Sequence, residues 1–262
     1  MHSSLLTAVF LAVGLALSAP ATGQSLVIVD PKGDDKGPGT YVYPADAVHA
    51  PGAFDLTRFE MTPGDEYVDF AVTVAVDITN PWKSAYGFSL QFPIVFVAAA
   101  EEGHQEGIPG LNVSFDLLGW DKAILISPHE PSRVRREIGS NAPELQDALV
   151  VPSRIRAEGR TITARVPRSA LPDSDPGEWA VQVVMQRNEG FPSSGRLLMT
   201  AVNESEGLHR FGGGRDDDCD PHVIDILMPE GQDQYAVLKD YACGPDGEPE
   251  RLAVLPMILP GG

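Results

Sequence analysis

Apolar and polar residues alternate along much of this chain. In "YVDFAVTVAVDIT", Val68, Phe70, Val72, Val74 and Val76 fall on one side, while Asp69, Thr73 and Asp77 fall on the other. A strand points successive side chains to opposite faces, so this spacing predicts a half-buried strand. "GFSLQFPIVFV" repeats the theme, with Phe88, Leu90, Phe92, Ile94 and Phe96 in phase. Its Pro93 lies on the opposite face and, having no N–H to give a ladder, predicts an edge strand or a bulge. Further strands are expected at "TITARV" (Ile162, Ala164, Val166) and at "EWAVQVVMQ" from Glu178. Shorter ones are expected at "RLLMTAV" from Arg196 and "HVIDILMP" from His222, with "RLAVLPMIL" closing the domain.

Turn clusters lie between them: "TPGDE", "TNPW", "PDSDPGE", "NEGFPSSG" and "GPDGEPE". The 26 glycines and 23 prolines punctuate the chain at intervals suited to short strands. Helical periodicity is nearly absent; "SNAPELQDAL" predicts one short helix, started by Asn141 ahead of Pro143. No internal repeat and no low-complexity linker is visible. The pattern predicts an all-β fold, an antiparallel β-sandwich with long decorated loops, and leaves jelly-roll and barrel variants open.

The first residues read differently. An apolar run from Leu5 to Ala19 leads into small residues suited to a cleavage site, the form of a secretory signal. The run is shorter than the roughly 20 apolar residues that a membrane-spanning helix needs. The chain is expected to divide into a signal peptide, 1–23, and one domain, 24–262. It is expected to be extracytoplasmic, periplasmic or secreted, and not membrane-spanning once cleaved.

The leader holds no charged residue, so the formal charge of −18 belongs to the remainder. Such a field repels phosphate backbones and argues against nucleic acid as a partner, while it attracts divalent cations. Two cysteines, Cys219 and Cys243, are present; in an oxidising compartment a disulfide is expected between them.

A search for catalytic chemistry finds little. There is no G-x-S-x-G, H-E-x-x-H, phosphate loop or dinucleotide fingerprint. The six histidines do not stand at zinc-ligand spacing from one another or from a cysteine. The protein is not expected to be an enzyme.

Binding chemistry is richer. In "DPKGDDKGPGTYVYP", Asp30, Asp34 and Asp35 offer carboxylates, and Gly33, Gly37 and Gly39 let carbonyls converge. Calcium takes six to eight such oxygens without a fixed spacing outside the EF-hand. Turns whose aspartates cap their own amides have the same composition, and the residues leave both readings open. A second loop, "RFGGGRDDDCDPHVIDILMPEG", joins Gly212, Gly213 and Gly214 to Asp216, Asp217, Asp218 and Asp220. It fits either a share in the same cation or an exposed acidic loop pinned by Cys219. Trp82 and Tyr86 in "NPWKSAYGFSLQ" suggest a platform for the flat C–H faces of a sugar, with Gln91 or Ser89 for its hydroxyls; packing into the core is the alternative. Arg133, Arg135 and Arg136 form a basic cluster that suits a solvated face.

Taken in order, "DPKGDDKGPGTYVYP", "APGAFDLTRFEM", "NPWKSAYGFSLQ", "RFGGG", "DPHVIDILMPEGQDQYAVLKDY" and "LAVLPM" resemble the C-terminal binding module of glucodextranases and related amylolytic enzymes such as pullulanases. That module is similar to the DOMON-like superfamily of β-sandwiches. The resemblance runs from Asp30 almost to the C-terminus. It implies a non-catalytic, extracytoplasmic module that binds carbohydrate or a cell-envelope glycan, with structural calcium as its cofactor. In the enzymes the module trails a catalytic domain; here it follows the leader. His222 stands where the family carries Asn, and the cysteine pair is a feature of this chain. The wider superfamily also implies a haem-binding, electron-transfer alternative, for which Met61, Met185 and Met199 are the candidate ligands. An envelope interaction protein is the third reading.

Overall fold

The computed structural model describes residues 24–99, 103–116, 118–217 and 219–260. The expected signal peptide and Asp218 lie outside the described residues. Leu26–Val29 (β1), Leu56–Pro63 (β2), Tyr67–Val74 (β3) and Gln91–Ala98 (β4) open the fold, followed by Val113–Phe115 (β5) and Lys122–Leu125 (β6). Leu149–Val150 (β7), Arg154–Glu158 (β8), Thr161–Pro167 (β9), Ala180–Arg187 (β10) and Asp225–Ile226 (β11) form its second half. Ala242–Cys243 (β12), Pro249–Arg251 (β13) and Ala253–Leu255 (β14) end it, and two helices, Pro131–Asn141 (α1) and Gln234–Lys239 (α2), lie between.

Two five-stranded sheets carry the architecture, in the orders β1-β2-β3-β9-β8 and β11-β10-β4-β6-β7. The first is antiparallel throughout and buries one face. In β3, Val68, Phe70, Val72 and Val74 point inward, while Asp69 faces out and pairs with Arg165 across the strand at 2.7 Å. This is the all-β sandwich that the alternation predicts, with a parallel β6-β7 pair as an addition.

The second sheet is the middle layer. Val95, Val97, Val181, Val183 and Met185 enter the core shared with the first sheet. Phe92, Ile94, Phe96, Ala180 and Val184 enter a second core, roofed by α1, α2 and the β5–β14 pair. A strand covered on both faces loses its polar alternation, which is why all eight positions of β4 and of β10 are buried. The predicted phase of "GFSLQFPIVFV" breaks for the same reason: Phe88 and Leu90 precede the strand and pack in the first core.

Pro93 corrects another expectation. β4 is a central strand between β10 and β6. The β6 ladder covers Ile94–Val97 and stops short of Pro93, whose carbonyl accepts from the Ile126 N–H at 3.1 Å. Its missing donor therefore falls at the ladder's end.

The helix expected at "SNAPELQDAL" is displaced. Pro131 starts α1 instead, Val134 and Ile138 pack it down, and residues 143–145 make a single 3-10 turn. "RLLMTAV" forms no strand; Met199 makes only an isolated bridge to Asn188. Met61, Met185 and Met199 are fully packed in the two cores.

Candidate functional site

The "DPKGDDKGPGTYVYP" loop leaves β1 and folds over the end of the sandwich. Gly37, at φ +54°, donates its N–H to the Ile224 carbonyl at 2.7 Å. A Cβ there would stand 2.3 Å from the Tyr41 ring, so the close docking requires glycine. Tyr43 donates its hydroxyl to Asp35 and accepts the N–H groups of Gly52 and Phe54 at 3.1 and 3.3 Å. Tyr41 donates to Asp220 at 2.8 Å. Both tyrosines thus anchor the loop.

This docking gathers carboxylates from distant segments. Asp30, Asp34 and Asp225 each present one oxygen, all within 4.8 Å of one another, and Asp55 is close enough to raise the pKa of both Asp30 and Asp225. One oxygen each of Asp30, Asp55 and Asp225 is held by a main-chain N–H, from Met228, Gly33 and Leu56 respectively. The other oxygens, Asp30 Oδ2, Asp55 Oδ1 and Asp225 Oδ1, are buried with no hydrogen-bond partner, as is Asp34 Oδ1. Burial, reinforced by mutual repulsion, pushes the Asp30 and Asp225 carboxyls well above the carboxylate range. Burial and then the Asp35 charge push Asp55 up to about 7. Asp34 is raised too, by burial first, with the Asp35 and Asp233 charges adding to it. The donor set is all oxygen, the chemistry of a hard divalent cation; oxygens on opposite sides of a calcium ion stand about 4.8 Å apart.

The membership differs from the sequence expectation. Asp35 lies outside the cluster because its oxygen is taken by Tyr43. Asp225 replaces it, with Asp55 as a charged neighbour; the signal of both was a lone acid inside an apolar run, in "VIDIL" and "AFDL".

A cleft of about 800 Å³ opens elsewhere, between the loops after β3, β6 and β10. Trp82 lines it at 46 % exposure, with Phe191 at 88 % and Leu208 at 62 %. The Trp82 loop is firmly built: Ser89 Oγ accepts the Trp82 N–H at 3.2 Å and donates to Asn80 at 2.7 Å, which also takes the Ser84 N–H at 2.8 Å. His49 and His209 pack on the indole, with ring centroids 6.1 and 5.8 Å away. Burial, then the Arg187 and His209 charges, lowers His49 to about 4, so it supports the indole as a neutral ring. Arg187, the last residue of β10, lies with Cζ 5.8 Å from the indole centroid. Burial lowers its pKa to about 10, against the pull of Glu189. A second cleft of about 640 Å³, lined by His104, Glu106, Pro109, Glu144 and others, has no Trp, Tyr or Phe among the described residues that line it.

Residues 26–257 match the family model of the SLH-like C-terminal binding module of glucodextranase. The chain belongs to this family. No curated protein sequence matches it. A binding-module family points to a non-catalytic, glycan-binding domain.

Within the module, the remaining predicted residues fall as follows. Tyr86 borders the cleft, and its hydroxyl reaches Glu130, a lining residue, at 3.3 Å. Gln91 does not reach the cleft: it is fully buried and donates to the Ala53 carbonyl at 2.8 Å. Gly212, Gly213 and Gly214 run too close to neighbouring backbone for any side chain; a Cβ on Gly213 would stand 2.1 Å from the Thr40 carbonyl. Asp216 is exposed and caps the Glu204 N–H at 2.9 Å, away from the acidic cluster. Cys219 and Cys243 are bonded, with Cα atoms 5.7 Å apart, as suits an extracytoplasmic protein. Among the described residues no helix is long and apolar enough to cross a membrane.

Proposed function

We propose that this module is an extracytoplasmic, non-catalytic carbohydrate-binding domain that takes a saccharide in the Trp82 cleft and is stabilised by calcium. The observation that carries the saccharide reading is the half-exposed Trp82, fixed by its own loop and flanked by Phe191, Leu208 and polar edges. A pyranose ring presents an apolar C–H face to such a surface and hydroxyls to its rim. Rigid aromatic area supplies affinity at low entropic cost, and the polar groups set orientation. The alternative cleft has no comparable surface.

The calcium reading rests on the unpartnered buried oxygens of Asp30, Asp34, Asp55 and Asp225. Four carboxylates that repel one another, each with an oxygen lacking a donor, are matched by a divalent cation. Bound there, calcium would tie the first sheet's β1–β2 end to β11 of the second. Its role is to hold the fold, since the cluster is separate from the cleft.

Isothermal titration against gluco-oligosaccharides, with Trp82→Ala as the control, tests the first reading. Binding heat with the native protein, and markedly weaker binding by the variant, is expected. No binding of any saccharide overturns it.

A further inference from the structure

The protein carries a formal charge of −18, and the cleft is lined by two guanidinium groups, Arg187 and Arg210, together with two carboxylates, Glu130 and Glu189. The Arg187 side chain is only 5 % exposed. Burying an ion is costly unless opposite charge and hydrogen-bond acceptors surround it. Arg187 is short of both. Its Nε and Nη1 have no acceptor, and its carboxylate neighbour Glu189 stands at 3.7 Å, beyond hydrogen-bonding range. The same Glu189 oxygen lies 3.9 Å from Arg210. Two cations thus share one oxygen of Glu189, whose other oxygen accepts the Phe191 N–H at 3.0 Å, while Glu130 accepts from the Tyr86 hydroxyl. The nearby indole face contributes attraction but no acceptor.

A sugar hydroxyl would supply an acceptor and leave the charge uncompensated. A carboxylate supplies both, in the planar, two-oxygen form that a guanidinium grips best. Resting on the saccharide reading of the cleft, we propose that its ligand is an acidic saccharide, whose uronic-acid carboxylate ion-pairs with Arg187 and Arg210 while a sugar ring stacks on Trp82. The guanidinium of Arg187 adjoins the indole, so one sugar unit can meet both groups. Arg187 ends a central strand, which fixes the charge in place, and the half-exposed Arg210 side chain adds a second charge from the loop after β10.

Calorimetric titration of the protein with an oligoglucuronate and with a gluco-oligosaccharide of equal length and linkage tests this, because the two sugars differ only at C6. The acidic sugar is expected to bind at least tenfold tighter, with a preference that shrinks as ionic strength rises. Arg187→Met, of similar length and apolar, and Arg210→Gln should each move the affinity ratio toward one. Equal or weaker binding of the acidic sugar overturns the proposal and leaves the saccharide reading standing. Binding of neither sugar defeats the saccharide reading and the proposal with it. Should Arg187→Met fail to fold, Arg210→Gln and the salt dependence decide. Oligoglutamate binding more tightly than oligoglucuronate would identify a peptide ligand and also overturn it.

Discussion

Asp30 and Asp225 hold the two sheets together reciprocally. Asp30, at the end of β1, accepts the N–H of Met228 just beyond β11; Asp225, in β11, accepts the N–H of Leu56 at the start of β2, at 2.6 Å. Each leaves its second oxygen buried and unpartnered, and each has a carboxylate oxygen within 4.8 Å of one from Asp34.

From that geometry, calcium at a hundredfold excess over its dissociation constant stabilises the fold by about 2.7 kcal/mol. For a chain of this size that raises the melting temperature by about 5–10 °C. Asp225→Asn should abolish the response. Its effect on the melting temperature in chelator should be small, because burial, and then the Asp30 and Asp34 charges, already disfavour the charged form of that carboxyl. Asp35→Asn should retain the response, since Asp35 serves Tyr43. Calorimetric melts with calcium and with chelator decide between these outcomes.

Trp82 and Gln91 should separate affinity from stability. Trp82→Ala removes exposed aromatic area and is expected to cost about 2 kcal/mol of saccharide binding with little change in melting temperature. Gln91→Ala breaks a buried hydrogen bond to Ala53 and opens space between β4 and its neighbours. It should cost about 2 kcal/mol of stability and leave the binding enthalpy unaltered. Paired titrations and melts on both variants check the contrast.

His49 predicts an acid-side loss of stability. Its folded pKa is lowered to about 4, by burial first and then by Arg187 and His209, with Asp46 opposing. In the unfolded chain it titrates near 6.5. The unfolded state therefore takes up the proton first as pH falls. The His49 contribution is complete above about pH 6.5, declines between 6.5 and 4, and falls no further below. NMR titration should show the His49 imidazole still neutral at about pH 5, and His49→Gln should reduce the slope of that part of the stability profile.

The Cys219–Cys243 bond encloses Asp225, α2 and the intervening turns. Closing a loop of this size is worth about 3 kcal/mol in the chain-entropy model. The double Cys→Ser variant should melt about 6–12 °C lower and need more calcium for half-maximal stabilisation. A calcium requirement identical to that of the native protein would show that the bridge and the cluster are independent.

Gly213 has φ +82° and no room for a Cβ against the Thr40 carbonyl. Gly213→Ala is expected to destabilise by about 2–3 kcal/mol. Gly231, at φ +87° with open space around it, should lose only about 1 kcal/mol on the same change. Denaturant unfolding of the pair measures the difference.

Part of the fold is legible in the alternation alone. Val68, Phe70, Val72 and Val74 mark a strand with one face buried, because a single solvated face imposes a period of two. Phe88 and Leu90 mislead because β4 has cores on both sides, and nothing in a doubly buried strand marks which face a residue takes. Pro93 misleads because only the extent of the β6 ladder tells whether its missing N–H is needed. The acids of "DPKGDDKG" are conspicuous, but which of them converge depends on Tyr43 claiming Asp35. Gln91, attractive beside two aromatics, turns inward because its strand does.

By itself, the sequence determined the class of fold, the family and the presence of an acid-rich loop and an aromatic loop, since local periodicity and contiguous motifs record short-range constraints. Only the tertiary structure decided that Asp225 joins Asp30 and Asp34 with Asp55 beside them, and that Arg187 and Arg210 share a cleft with Trp82. Those groups are remote in the chain, and a carboxylate or guanidinium acquires its chemistry from how deeply it is buried and what it is buried beside.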